Sequence, residues 1–169
     1  MDRRHTYTVT REATQRLRWR VVGALAALAI GSLVAWKPAH AQFHAAPTPV
    51  QVATAALSDA DTDRSYRRDG ARHLYASYPQ HIHKGKLPPL MYAVAITETE
   101  IDENGHVVNA VMVREPAAAK EVSPWVLDMI RKAAPYPKPA RMGRVKYTDI
   151  WLVDKSGKFQ LDTLTEGQR

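Results

Sequence analysis

Two histidines one residue apart, His81-Ile82-His83, have the spacing best suited to metal chemistry in this sequence. Alternate side chains of an extended segment share a face, so both imidazoles would point the same way, an arrangement zinc or copper accepts. His73 or His106 would have to complete the ligand set. The competing reading is a solvated loop between Tyr78-Pro79 and Pro88-Pro89, and with no complete ligand set it is the stronger. Asp59, Asp61 and Asp63 also alternate. The glycine and bidentate glutamate of a calcium loop are missing, which leaves a charged linker. Glu98 and Glu100 project to one face of a strand, where a carboxylate pair would serve glycoside hydrolysis only if a cleft formed. Solvated polar groups are the simpler reading. Arg141-Met142-Gly143-Arg144 is the nearest approach to a basic cluster and reads as a solvated turn. Trp125, Tyr136 and Trp151 read as core or sheet-face aromatics. There is no Ser-His-Asp constellation, no G-x-S-x-G and no phosphate-cradling loop. Cysteine is absent, so thiolate catalysis, disulfide exchange and cysteine-based zinc sites are excluded. The expectation is a protein that is not an enzyme and carries no metal and no cofactor.

The chain's ends differ in character. Residues 1–41 hold seven Lys/Arg and two Asp/Glu, whereas the remaining residues hold 17 and 15. The formal charge of +7 therefore belongs mainly to the first segment, and a nucleic-acid partner loses its support. That segment has the three parts of an export signal. Arg3, Arg4, Arg11, Arg16, Arg18 and Arg20 precede an uncharged run of 16 residues, Val21–Trp36, and Ala39-His40-Ala41 supplies small residues at a cleavage site. At ~1.5 Å per residue the run spans about 24 Å, short of the ~30 Å hydrocarbon core. Cleavage after Ala41 is the expectation, with an uncleaved inner-membrane anchor as the alternative.

Residues 42–60 are mostly Ala, Thr, Pro and Val without apolar periodicity and read as a flexible linker. A polar helix is expected over Asp61–Ser77, weakened at Gly70 and ended by Tyr78-Pro79, since the residue before proline is pushed out of the α region. Met91–Ile101 reads as a strand, Asp102–Gly105 as a hairpin turn and His106–Arg114 as the return strand. Both faces of that return strand are mostly apolar, which predicts a strand covered on both sides or sited centrally. Ser123 is the expected helix cap and Pro124 the first helical residue, with Val126, Met129, Ile130 and Ala133 as the buried stripe. Val145–Val153 is a third strand. Lys158–Leu164 alternates cleanly and reads as a half-exposed outer strand. The fold class is α+β: a small antiparallel sheet of three to four strands, β-β-α-β-β, backed by an amphipathic helix and preceded by an N-terminal helix.

Tyr78-Pro79, the hairpin on Ile101-Asp102-Glu103-Asn104-Gly105-His106-Val107, the short helix entering Ala134-Pro135-Tyr136-Pro137-Lys138-Pro139 and the closing strand pair carry a resemblance. Over residues 61–169 the chain resembles the C-terminal domain of the TonB family of periplasmic energy transducers. The resemblance implies a periplasmic domain that binds an extended segment of a protein or peptide in the cell envelope, such as an outer-membrane receptor, by adding it as a strand. Carried onto this chain, the positions are Lys146, Tyr147, Thr148, Ile150 and Leu152 on the third strand, with Tyr78 and Pro79 nearby. Full transducers retain an N-terminal helix with a serine and a histidine four residues apart. Here Ser32 is followed four positions on by Trp36, the apolar run lacks histidine, and the linker is short. The resemblance thus implies the binding module without the proton-driven motor. Retention of the N-terminal helix would restore the transducer reading. Fold-back of Lys158–Leu164 onto the third strand would instead make a structural envelope protein or a homodimer.

Overall fold

The computed structural model describes residues 43–51 and 57–167, all within one compact unit, Pro38–Arg169. The export segment, with Ala39 and Ala41, lies outside the described residues. Among the described residues no helix is long and apolar enough to cross a membrane.

In chain order the elements are β1 (Leu57–Ser58), α1 (Asp63–Ser77), β2 (Ala93–Ile101), β3 (Val107–Arg114), α2 (Val122–Lys132), β4 (Lys138–Pro139), β5 (Val145–Val153) and β6 (Phe159–Leu161). Four of the strands form an antiparallel sheet in the order β3-β2-β5-β6, while β1 and β4 make a two-residue parallel pair. Among the described residues the fold is α+β, with two helices and two sheets. The short β1–β4 pair is an addition to the expected sheet, and two-residue strands of this kind leave no periodic signal in a sequence.

Local chemistry accounts for most boundaries. Thr62 opens α1 with a capping box: its hydroxyl accepts from the Ser65 N–H at 3.2 Å, and the Ser65 hydroxyl accepts from the Thr62 N–H at 3.1 Å. Tyr78 ends the helix ahead of Pro79, as the proline rule requires. Gly70, the weak point of the sequence reading, is a packing device. A Cβ there would sit 2.8 Å from the Tyr147 hydroxyl, so only glycine lets the helix lie this close to β5.

The β2–β3 hairpin closes on Asp102, whose carboxylate accepts the Asn104 and His106 N–H groups at 2.9 and 2.8 Å. Gly105 follows with φ of 87°. Helix α2 departs from expectation at its start. It begins at Val122, and the side chain of the N-cap residue, Glu121, makes no capping bond to the first turn but accepts from the Tyr92 hydroxyl. Ser123 lies inside the first turn, 4% exposed, and its hydroxyl has no hydrogen-bond partner among the described residues. The turns donated by Val122 to Ala119 and Ser123 to Lys120 carry the chain into the helix one residue earlier than the Ser-Pro signal suggests.

Alternation sets the core. Ala93, Ala95, Thr97, Thr99 and Ile101 of β2 and Val145, Tyr147, Asp149, Trp151 and Val153 of β5 all face inward and are buried. Both helices bury their stripes against this face, with Tyr66 and Leu74 from α1 and Val126, Met129 and Ile130 from α2. Trp125, Tyr136 and Trp151 are buried, so the core reading of these aromatics stands; the Trp151 indole donates to Thr97 at 3.1 Å and its ring lies 4.7 Å from that of Phe159. Burying each large apolar side chain contributes about 1.5–3 kcal/mol.

Three further expectations need correction. Strand β3 is an edge strand, with Val108, Val111 and Val113 49%, 39% and 60% exposed. Its two-sided apolar pattern mimics that of a central strand. β6 covers only Phe159–Leu161, and all three residues are buried; the chain then turns through a 3-10 segment, Asp162–Leu164. Gln160 sits at what reads as a solvent position, yet its amide donates to the carbonyls of His83 and Gly85 at 2.9 and 2.8 Å. Finally, part of the stretch read as a linker is packed. Phe43 is 4% exposed and stacks on Tyr92 at 5.5 Å, and the Val50 N–H donates to the Ser77 carbonyl at 2.8 Å.

Candidate functional site

The two edges of the sheet are treated differently. On β3, register shifts occur at both ends of its pairing with β2, and the Arg131 guanidinium donates to the Ala110 carbonyl at 3.0 Å. Bulges and a charged side chain laid on an edge are the usual protections against adventitious pairing. On β5, the nine-residue register with β2, from Ala93↔Val153 to Ile101↔Val145, is unbroken. β6 pairs with Trp151–Val153 only.

The ladder's alternation identifies what the uncovered part presents. The Ile150 N–H donates to the Asp162 carboxylate at 3.3 Å, on the β6 side of the strand. Main-chain groups two and four residues earlier point the same way, so Thr148 and Lys146 offer their N–H and C=O groups on that side. Among the described residues no strand pairs with them there. Their side chains stand exposed on the outer face. Lys146 Nζ lies 2.7 Å from Glu98 Oε1, and Arg144 lies 3.2 Å from Glu100. The two glutamates thus serve as cross-strand ion-pair partners on an open face.

The residues marked out in the sequence do not form one surface. Lys146 and Thr148 lie on the uncovered half. Tyr147 lies between them but points inward and is 4% exposed. Ile150 and Leu152 are engaged on the edge side, by Asp162 and by Gln160 of β6 respectively. Tyr78 is 1% exposed, and its hydroxyl donates to the Met129 carbonyl at 2.8 Å, which makes it a core residue. Pro79 belongs to the far end of the sheet, where it lines a cavity of about 400 Å³ with Gln80, Ile82, His83, Lys84 and Lys158.

The histidines are held separately. His83 Nδ1 lies 2.8 Å from an Asp154 carboxylate oxygen, and His81 Nδ1 lies 3.4 Å from the Gly157 carbonyl. His73 is buried against the Ala133 carbonyl at 2.7 Å, and burial holds its pKa below the usual imidazole value. His106 sits at the hairpin turn beside Asp102. Among the described residues no three potential ligands converge.

A cluster that the sequence reading missed borders the uncovered edge. Asp149 faces inward on β5, 2% exposed, and accepts from Arg67 Nε at 2.9 Å. A second Arg67 nitrogen bonds Asp162, the same carboxylate that caps the Ile150 N–H. Burial pushes the Asp149 carboxyl up to about 6, overriding the pull of Arg67 in the other direction. The available signal was parity: an aspartate at an inward position between Tyr147 and Trp151 must have a buried partner. Helix α1 is where an arginine at the right height stands.

Comparison with known proteins places no relative beside this chain: it matches no family model, no curated protein and no solved structure.

Proposed function

We propose that this chain is a TonB-like binding module of the cell envelope that captures an extended peptide or envelope protein by strand addition at β5. The observation that supports this best is the asymmetry of the sheet edges. β3 is bulged at both ends and capped by Arg131, whereas the Val145–Asp149 half of β5 is regular and, among the described residues, paired on one side only. An added strand would satisfy the outward main-chain groups of Lys146 and Thr148, and main-chain hydrogen bonds would supply the attachment. The finer β-β-α-β-β arrangement behind α1, which the TonB resemblance implies, is part of this proposal; the α+β fold with a four-stranded antiparallel sheet supports it. On this reading the export segment is cleaved, the domain is periplasmic and not an enzyme, and an outer-membrane receptor is one suitable partner. Coupling to the proton-driven motor is not part of it.

A second reading has its own support. β6 and the Asp162 cap occupy the Ile150–Val153 half of the edge, as a structural envelope protein with a self-blocked edge would require.

The lack of cysteine makes the two separable. In Lys146→Cys, a thiol–amine crosslinker applied to intact envelopes is expected to give discrete adducts. Adding Thr148→Pro should lower their yield at least about tenfold, because it removes an outward N–H without breaking a bond to β2. Ile150, whose N–H is already held by Asp162, is the wrong place for this block. Equal adducts from Val108→Cys on β3, or no effect of Thr148→Pro, would favour the structural reading.

A further inference from the structure

We infer that the segment received at this edge is short and acidic: about five residues long, ended by Asp162 and carrying carboxylates that meet Arg64 and Lys146. This rests on the strand-capture reading above and specifies its ligand.

The length follows from what shares the track. An added strand would run in line with β6, which leaves that track at Asp162. The Asp162 carboxylate stands where a strand carbonyl would, on the Ile150 N–H, and Arg67 holds it in place. The free part of β5 is then Val145–Asp149, roughly 16 Å at ~3.3 Å per residue.

The charge follows from the flanks. Helix α1 runs along β5 in the same direction: Tyr66 meets Tyr147, Arg67 meets Asp149, and Tyr75 reaches the Leu161 N–H, opposite Trp151. One turn before Arg67, and on its side of the helix, Arg64 therefore lies alongside the uncovered residues. Arg64 is exposed and makes no ion pair among the described residues. On the outer face Lys146 is 57% exposed, and its ammonium has donors beyond the one that meets Glu98. The nearby carboxylates are mostly occupied: Asp149 and Asp162 by Arg67, Glu98 by Lys146, Glu100 by Arg144. Asp61 and Asp63 are the exceptions, three residues and one residue before Arg64, with Asp63 at the positive end of the helix dipole. An incoming strand places alternate side chains on the two faces, so inward carboxylates meet Arg64 and outward ones meet Lys146.

The test is an amide-resolved NMR titration of the domain with ten-residue peptides of alternating Thr and Glu, Thr and Gln, or Thr and Lys. The Glu peptide is expected to shift the Lys146 and Thr148 amides while leaving Ile150 and Leu152 in place. It should bind at least about tenfold more tightly than the other two, with that margin shrinking at high salt and in the double variant Arg64→Ala/Lys146→Ala, since every Glu of the peptide lies on one face. In Asp162→Ala the perturbation should extend to Ile150. Equal binding of the three peptides at the same amides would overturn the acidic preference and leave strand capture standing. Shifts at Ile150 and Leu152 in the unaltered domain would overturn the length limit. No shift at Lys146 or Thr148 with any peptide would overturn strand capture and this inference together.

Discussion

Gly105→Ala is expected to leave the domain unfolded or nearly so at 37 °C. Gly105 has φ of 87°, a region that costs an L-residue about 1–2 kcal/mol. The larger cost is spatial. A Cβ would lie 2.1 Å from the Tyr136 carbonyl oxygen and 3.1 Å from the carbonyl carbon, and both belong to main chain that cannot turn aside. That contact is itself held by a hydrogen bond from the Tyr136 N–H to the Gly105 carbonyl at 2.8 Å. Moving the two strands of chain apart would also displace the Tyr136 ring, which is fully buried. The expected loss is about 3–5 kcal/mol, the range of the severest core lesions. Thermal unfolding followed by circular dichroism should show Tm lowered by more than about 10 °C. Gly85→Ala is the control: φ is 80° there but no atom lies within 4 Å, so only the backbone strain applies. Equal, small effects at both positions would show that the Gly105–Tyr136 contact does not hold the hairpin as described.

Arg67→Ala is the second large effect, and it should depend on pH. Removing the guanidinium leaves Asp149 buried and without its cation, a loss of about 3–5 kcal/mol for a broken buried pair. The sign of the pH dependence follows from Asp149. Its folded pKa, about 6, lies above the ordinary carboxyl value of 3.8, chiefly because of burial. The folded state therefore holds a proton more tightly than the unfolded state between those values. Stability from this group is fully present below pH 4 and is lost as pH rises through 6. In Arg67→Ala the carboxyl loses the partner that lowered its pKa, so the loss should be greatest near pH 8 and shrink toward pH 5. Chemical denaturation at the two pH values checks this. Asp149→Asn combined with Arg67→Ala should remove the pH dependence from this site. A deficit in Arg67→Ala that is equal at pH 5 and pH 8 would mean that Asp149 does not titrate in this window.

The parts of this fold legible in the sequence are those written in local chemistry. Tyr78-Pro79 stops α1, Asp102–Gly105 closes the hairpin, and the alternation of Val145–Val153 marks β5, because each signal acts over a few neighbouring residues. What the sequence misreports depends on distant partners. The valines of β3 are apolar on both faces whether or not anything covers them. Gln160 looks like a solvent residue because its acceptors, His83 and Gly85, are more than 70 residues away along the chain. Phe43 sits in a stretch without periodicity, and its burial comes from the distant rings of Tyr92 and Trp125. The candidate site divides in the same way. Lys146 and Thr148 were among the positions the resemblance implied, in a set that also held Tyr147, which faces inward. Fold-back of Lys158–Leu164 onto this strand was an alternative the sequence offered; that the pairing stops at Leu161, with Asp162 holding the Ile150 N–H, was not legible, because it depends on Arg67 from α1.

The claim on which the functional proposal depends is that half of one strand's edge is open, and amide hydrogen exchange of the isolated domain measures it directly. The expected pattern is alternating. Val145, Tyr147 and Asp149, whose N–H groups face β2, should exchange slowly, as should Ile150 and Leu152 on the covered stretch. Lys146 and Thr148 should exchange at rates close to those of an unprotected chain. Slow exchange at Lys146 and Thr148 in the free protein would mean that the chain already covers this edge, which would contradict strand capture at β5.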